Sequence, residues 1–249
     1  MKKYELTAET KEIGGKILHR IRALIDIPEH DVKAGDLGGW IEAEKNLSQK
    51  GDAWVTGSAW VTGAALVTGK AWVTGSAWVT GAALVTGSAW VTGAALVTGK
   101  ALVTDSALVT GEACVTGEAC VTGEACVTDS ACVTGSACVT DSARVMGNAL
   151  VTGEARVTGN ALVSGNARVM ESSDCITIGA IGSRDDTTTF YRGTDGGIYV
   201  TCGCFSDTID DFAAEVKQVH AGTKHERTYL LAIELAKAQI ATEEENACD

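Results

Sequence analysis

The chain has 249 residues, 45 % of them hydrophobic, with 29 glycines, one proline (Pro28) and nine cysteines. That is enough apolar material for a core, and glycine without proline excludes collagen and stiff linkers while suiting many tight turns. The net charge of −12, with no segment rich in lysine and arginine, argues against a nucleic-acid partner.

In chain order the first predicted element is a hairpin over residues 3–27. "KYELTAETKEI" and "KILHRIRALIDI" alternate polar and apolar positions, and Gly14-Gly15 lies between them. The opening "MKKYELTAETKEIGGK" has no apolar core of a secretory signal, and the longest apolar runs are too short for a membrane span. A cytoplasmic location with reduced thiols is therefore expected, and no membrane partner. "GDLGGWIEAEKNLSQK" follows as a lead-in to the repeat, with Trp40 packed against the first coil. Residues 1–50 form the first unit of the chain.

Twenty consecutive six-residue units run from Gly51 to Met170. Alanine is third and valine fifth in all twenty. Glycine opens seventeen, and Asp105, Asp129 and Asp141 replace it in the others. The sixth residue is threonine except at Met146, Ser164 and Met170. Within each unit A-x-V-T alternates with period two, the mark of a short strand. Alanine and valine share one face; the variable residue and threonine share the other. Arg144, Arg156 and Arg168 occupy the variable slot in late units, and an unpaired arginine does not fit a narrow apolar core. The variable slot therefore points outward, and Ala and Val point in.

Four-residue strands joined by two-residue corners wind into a solenoid. Three sides of six residues give an 18-residue coil and nearly seven coils; a two-sided coil of 12 residues has the same sequence period. In the three-sided form, residues 18 apart are neighbours. Trp54, Trp72 and Trp90 then share one column, and Trp60 and Trp78 another. Leucine, cysteine and arginine follow in each.

The register V-T-G-x-A-x resembles the hexapeptide repeat of left-handed parallel β-helices, and the chain as a whole is similar to hexapeptide-repeat proteins of bacteria and their phages. The left hand is implied by that resemblance alone. Glycine falls one position later here than in the commonest form of the repeat, and the units are more uniform. The family's best-known members are acyltransferases with a histidine base on the coil. Here the four histidines, His19, His30, His220 and His225, all lie outside residues 51–170, and no long loop interrupts the units to form a substrate pocket.

Beyond Glu171, "CITIGAIG", "TTTFYR" and "GGIYVTCGCF" read as strands, with a turn at Asp195-Gly196-Gly197. A helix over about 207–220, capped by Ser206, and a second over about 225–241 follow. The tail "TEEENACD" is expected to fray. Residues 171–249 thus form a small α+β domain. The expected fold is mainly β: a single-stranded left-handed parallel β-helix of 18 residues per coil, with a hairpin cap and a C-terminal α+β domain.

Two candidate sites follow, and two cysteine sets are set aside. The outward Trp54, Trp60, Trp72, Trp78 and Trp90 offer apolar ladders for a protein partner or a second copy, because large exposed aromatic patches mark interaction surfaces. Ser183, Arg184 and Thr187, in "GAIGSRDDTTTF", could hold an anion in a turn. Cys202 and Cys204 with His220 and His225 match no strong zinc spacing, and the cysteines at 114, 120, 126, 132 and 138 form flat rows that do not converge on a tetrahedral metal. No metal or cofactor is expected. The expected function is a non-enzymatic scaffold or binding protein; the alternatives are an acyltransferase-like enzyme and small-anion binding by the C-terminal domain.

Overall fold

The computed structural model describes residues 2–240. Its core is a parallel β-solenoid of about seven coils. Twenty two-residue strands, β4 (Trp54–Val55) to β23 (Arg168–Val169), recur every six residues and pair in register with the strand 18 residues away. Trp54 pairs with Trp72, Trp72 with Trp90, and Trp60 with Trp78. The coil is therefore three-sided, and the 12-residue geometry does not occur.

The inward pattern is as the alternation requires. The repeat alanines and valines are essentially inaccessible to water. Burying a valine side chain contributes about 1.5–3 kcal/mol, and this stack, rather than two-residue strands, holds the column. The corners explain the glycines. Every repeat glycine has φ between 64° and 75°, a region that costs other residues energy. Asp105, Asp129 and Asp141 take the same conformation, at 59°, 60° and 61°. Their carboxylates accept from the amide of the glycine one coil on, at 3.2, 3.0 and 3.1 Å.

Bonding between coils is directional. In the unit starting at Gly57, Ser58, Trp60 and Thr62 donate their amides to the carbonyls of Gly75, Ala77 and Val79 in the following coil, and the pattern recurs along the column. The N-terminal end is left mainly with carbonyls and the C-terminal end mainly with amides. Each cap answers that chemistry. At the N-terminal end, Lys3 Nζ donates to Ala53 and Gly51 carbonyls at 2.7 and 3.2 Å, and Asn46 Nδ2 to those of Ala65 and Gly63 at 2.8 and 3.1 Å. At the other end Asp174 Oδ2 accepts from the Met170 and Glu171 amides at 2.9 and 3.0 Å, and Thr189 Oγ1 from Leu162 at 3.0 Å.

The hairpin β1 (Tyr4–Ile13) and β2 (Lys16–Ala23) turns at Gly14-Gly15, both at positive φ. It pairs through β3 (Leu37–Ile41) with β5 (Trp60–Val61), which places Trp40 over Trp60. Leu47 bridges to Val67 on another side. The column thus begins in the irregular lead-in, before the repeat itself.

After the repeat, β24 (Cys175–Ile181), β25 (Asp186–Arg192), β26 (Ile198–Cys202) and β27 (Phe205–Thr208) form an antiparallel sheet in that order. Helices α1 (Ile209–Val219) and α2 (Lys224–Gln239) cover it, with Phe190, Phe212, Tyr229 and Ile233 in a second core. Two expectations change. "GGIYVTCGCF" is not one strand: the chain reverses at Gly203, φ 60°. Thr208, not Ser206, caps α1, because Ser206 is paired with Thr201 inside β27. The expected frayed tail lies outside the described residues, and among these no helix is long and apolar enough to cross a membrane.

Candidate functional site

The tryptophan columns stand on the outer face, as the arginine argument requires, but the chain covers much of them itself. Trp54 was expected to face solvent and is instead only 1 % exposed. Tyr4 of the hairpin meets its ring edge-on, 6.4 Å between centroids, and the Tyr4 hydroxyl is fixed to the Leu47 carbonyl at 2.7 Å and that of Glu44 at 3.0 Å. Outward orientation is set by the repeat; exposure is decided by what folds over it.

Below Trp54, Trp72 is partly buried. His30 stacks on it at 5.1 Å with 27° between planes, while Trp90 meets its other side edge-on at 5.2 Å. His30 sits in a short 3-10 turn (Pro28–His30), and burial lowers its pKa, favouring neutral imidazole. In the neighbouring column Lys11 lies 4.4 Å from the Trp40 ring and 4.6 Å from that of Trp60, a shared cation–π contact. Trp60 stacks in turn on Trp78 at 4.4 Å. Lys11, His30 and Tyr4 were not legible as ladder-binding residues, since no spacing rule relates the hairpin or the turn after it to the column.

Trp78 and Trp90 remain, at 46 % and 48 % exposed. They lie on different sides of the column in nearby units, with Leu84 between them on the third side. Together they ring the solenoid just past the hairpin. Beside Trp78, a groove of about 210 Å³ runs between the hairpin tip, Ile13 to Lys16, and Trp60, Thr62 and Thr80.

The second candidate lies in the C-terminal domain, where a cavity of about 340 Å³ opens between the β24–β25 turn, the β26–β27 turn and both helices. Ser183 and Arg184 line it; Thr187 does not. Instead the Thr187 amide donates to Asp186 Oδ1 at 2.7 Å, and Asp186 and Glu215 bring negative charge to the lining. Gly182 has its own reason for being glycine: a Cβ there would fall 1.7 Å from the Tyr229 hydroxyl. That hydroxyl lies 3.7 Å from Cys202 Sγ, and burial, aided by Cys202, pushes the Tyr229 pKa up to about 12. His220 and His225 are 5.9 Å apart, ring to ring. Among the described residues no three His, Cys, Asp or Glu side chains are grouped to hold a metal ion.

No protein-family model matches this chain, and no curated protein matches it. What the fold defines is a class, the capped parallel β-solenoid.

Proposed function

We propose that this protein is a non-enzymatic scaffold that associates with other copies of itself through the apolar belt of Trp78, Leu84 and Trp90. One observation carries the reading: the tryptophan columns already bind polypeptide, since the hairpin docks on them through Tyr4 and Lys11, and the turn after it through His30. The belt continues the same columns where the hairpin stops. A second copy offers the same belt, so an isologous contact would match apolar area with apolar area. Aromatic side chains half out of water gain most from such cover. The cytoplasm suits this reading, because the eight described cysteines are free thiols.

Light scattering after size exclusion tests it. The wild-type chain is expected to run above its monomer mass of 25.7 kDa. Changing Trp78 and Trp90 together to threonine keeps strand propensity and leaves the inward rows untouched, so that variant should fold and run as a monomer. A monomeric wild type, or an unchanged mass in the variant, defeats the proposal.

A second reading rests on Arg184, which has no hydrogen-bond or ion-pair partner among the described residues and faces an apolar floor of Phe205, Phe212 and Val216. Arg184 would take the carboxylate of a small ligand with an apolar body, and Asp186 and Glu215 in the same lining favour one that also carries a positive group.

A further inference from the structure

Five successive variable slots, at 114, 120, 126, 132 and 138, are cysteine. Winding places them in a band around all three sides of the column. Two pairs fall in register on adjacent parallel strands: Cys114 beside Cys132, and Cys120 beside Cys138. Cys126 has no thiol neighbour, for Leu108 and Arg144 flank it. The band therefore contains two dithiols and one isolated thiol in otherwise equivalent settings.

A flat row cannot surround a tetrahedral ion, which disfavours zinc. It can supply a line. Adjacent strands are about 4.8 Å apart. A metal–sulfur bond near the zinc–thiolate value of about 2.3 Å would span about 4.6 Å across a straight S–metal–S unit. Soft, closed-shell monovalent ions favour thiolate ligands, and copper(I) is the biological member of that class. The two cysteines of each pair stand directly opposite one another in the ladder.

We propose that Cys114/Cys132 and Cys120/Cys138 each bind one copper(I) ion in linear two-sulfur coordination. Both thiols of a pair lose their protons to solvent, two metal–sulfur bonds form, and nothing is oxidised or reduced. Each site gains one positive charge and loses two protons, so it ends one unit more negative. From Asp105 to Asp141 the chain carries six carboxylates, of which Glu118 is paired with Lys100, and Arg156 lies in register beside Cys138, where it offsets the negative charge that site gains.

Native mass spectrometry of the reduced full-length protein, with silver(I) as an air-stable probe that shares the filled d shell of copper(I), tests the proposal. Cysteines elsewhere set a background, so differences between variants carry the result. Leucine is the natural occupant of the slot at Leu96, Leu102 and Leu150, so it should preserve the fold, which circular dichroism checks. Cys132→Leu should hold one silver ion fewer than wild type, and Cys132→Leu/Cys138→Leu two fewer. Cys126→Leu should hold as many as wild type. Each ion lost should correspond to one silver less two protons. Copper(I), supplied without oxygen, should give the same counts. If Cys126→Leu also loses an ion, or the double variant keeps the wild-type number, pairing is not what binds the metal and the proposal fails.

Discussion

At single positions the repeat is governed by its corners. Gly117 has φ 72°, and a Cβ there would approach the Gly135 carbonyl oxygen to 2.7 Å. Gly117→Ala should therefore cost about 1–3 kcal/mol from the left-handed backbone and the close contact. Gly117→Asp should cost less, although it is larger. Asp105, Asp129 and Asp141 show how aspartate recovers the loss, by accepting the amide of the next corner. Urea unfolding of the two variants checks the order. An aspartate variant weaker than the alanine variant would show that the three natural aspartates rely on something beyond this bond. The corner was legible from the sequence because glycine recurs there seventeen times. The aspartate bond was not, since it joins residues of different coils.

At the scale of elements, the caps carry the chemistry that the column leaves over. Lys3 is buried against the first coil, and burial lowers its pKa to about 8, with Asp52 acting in the opposite sense. In the unfolded chain the same group keeps its proton to its ordinary value of about 10.5. Between those values the unfolded state binds more protons, so this group makes stability rise with pH. Lys3→Met should be less stable than wild type, because the Ala53 and Gly51 carbonyls lose their donor. The gap should widen by up to about 3 kcal/mol from pH 8 to pH 10. Denaturation at several pH values measures it; a constant gap would mean that Lys3 does not titrate in this range. At the other end burial alone would raise the pKa of Asp174. Arg192 at 2.7 Å and the Met170 and Glu171 amides hold it below the usual carboxylate range instead.

The same elements show why the sequence told some things and not others. Strand periods, the Gly14-Gly15 turn and both helices follow from local pattern, and all appear. The register of Trp54 beside Trp72 follows from period and side number together. The burial of Trp54 depends on a hairpin fifty residues away, and the split at Gly203 on an antiparallel partner; neither leaves a local signature. Ser183 and Arg184 do meet at one cavity, while Thr187 stands outside it, because it lies in β25, where successive side chains alternate and Asp186 takes the cavity side. The hand of the winding is not encoded in the spacing, since either hand gives the same column neighbours.

For the whole molecule, the unequal ends make association directional. A carbonyl-rich end and an amide-rich end complement each other, whereas two like ends do not. Residues 51–170 without either cap should therefore join head to tail into filaments of uniform width, visible by electron microscopy. The full-length chain should form none. Discrete monomers of the capless fragment would show that its open ends are not competent to pair, and that the caps serve only local stability.

The strict six-residue unit has a last consequence, for the relation between the two ends. One unit is a third of a coil. Each unit gained or lost would advance the C-terminal domain by about 1.6 Å along the axis, a third of the strand spacing, and turn it by a third of a revolution about the column. Repeat number thus sets height and angular phase together. The angle about the axis between Trp78 or Trp90 and the C-terminal cavity is fixed by counting units, and a change of three units alters their separation while restoring their phase.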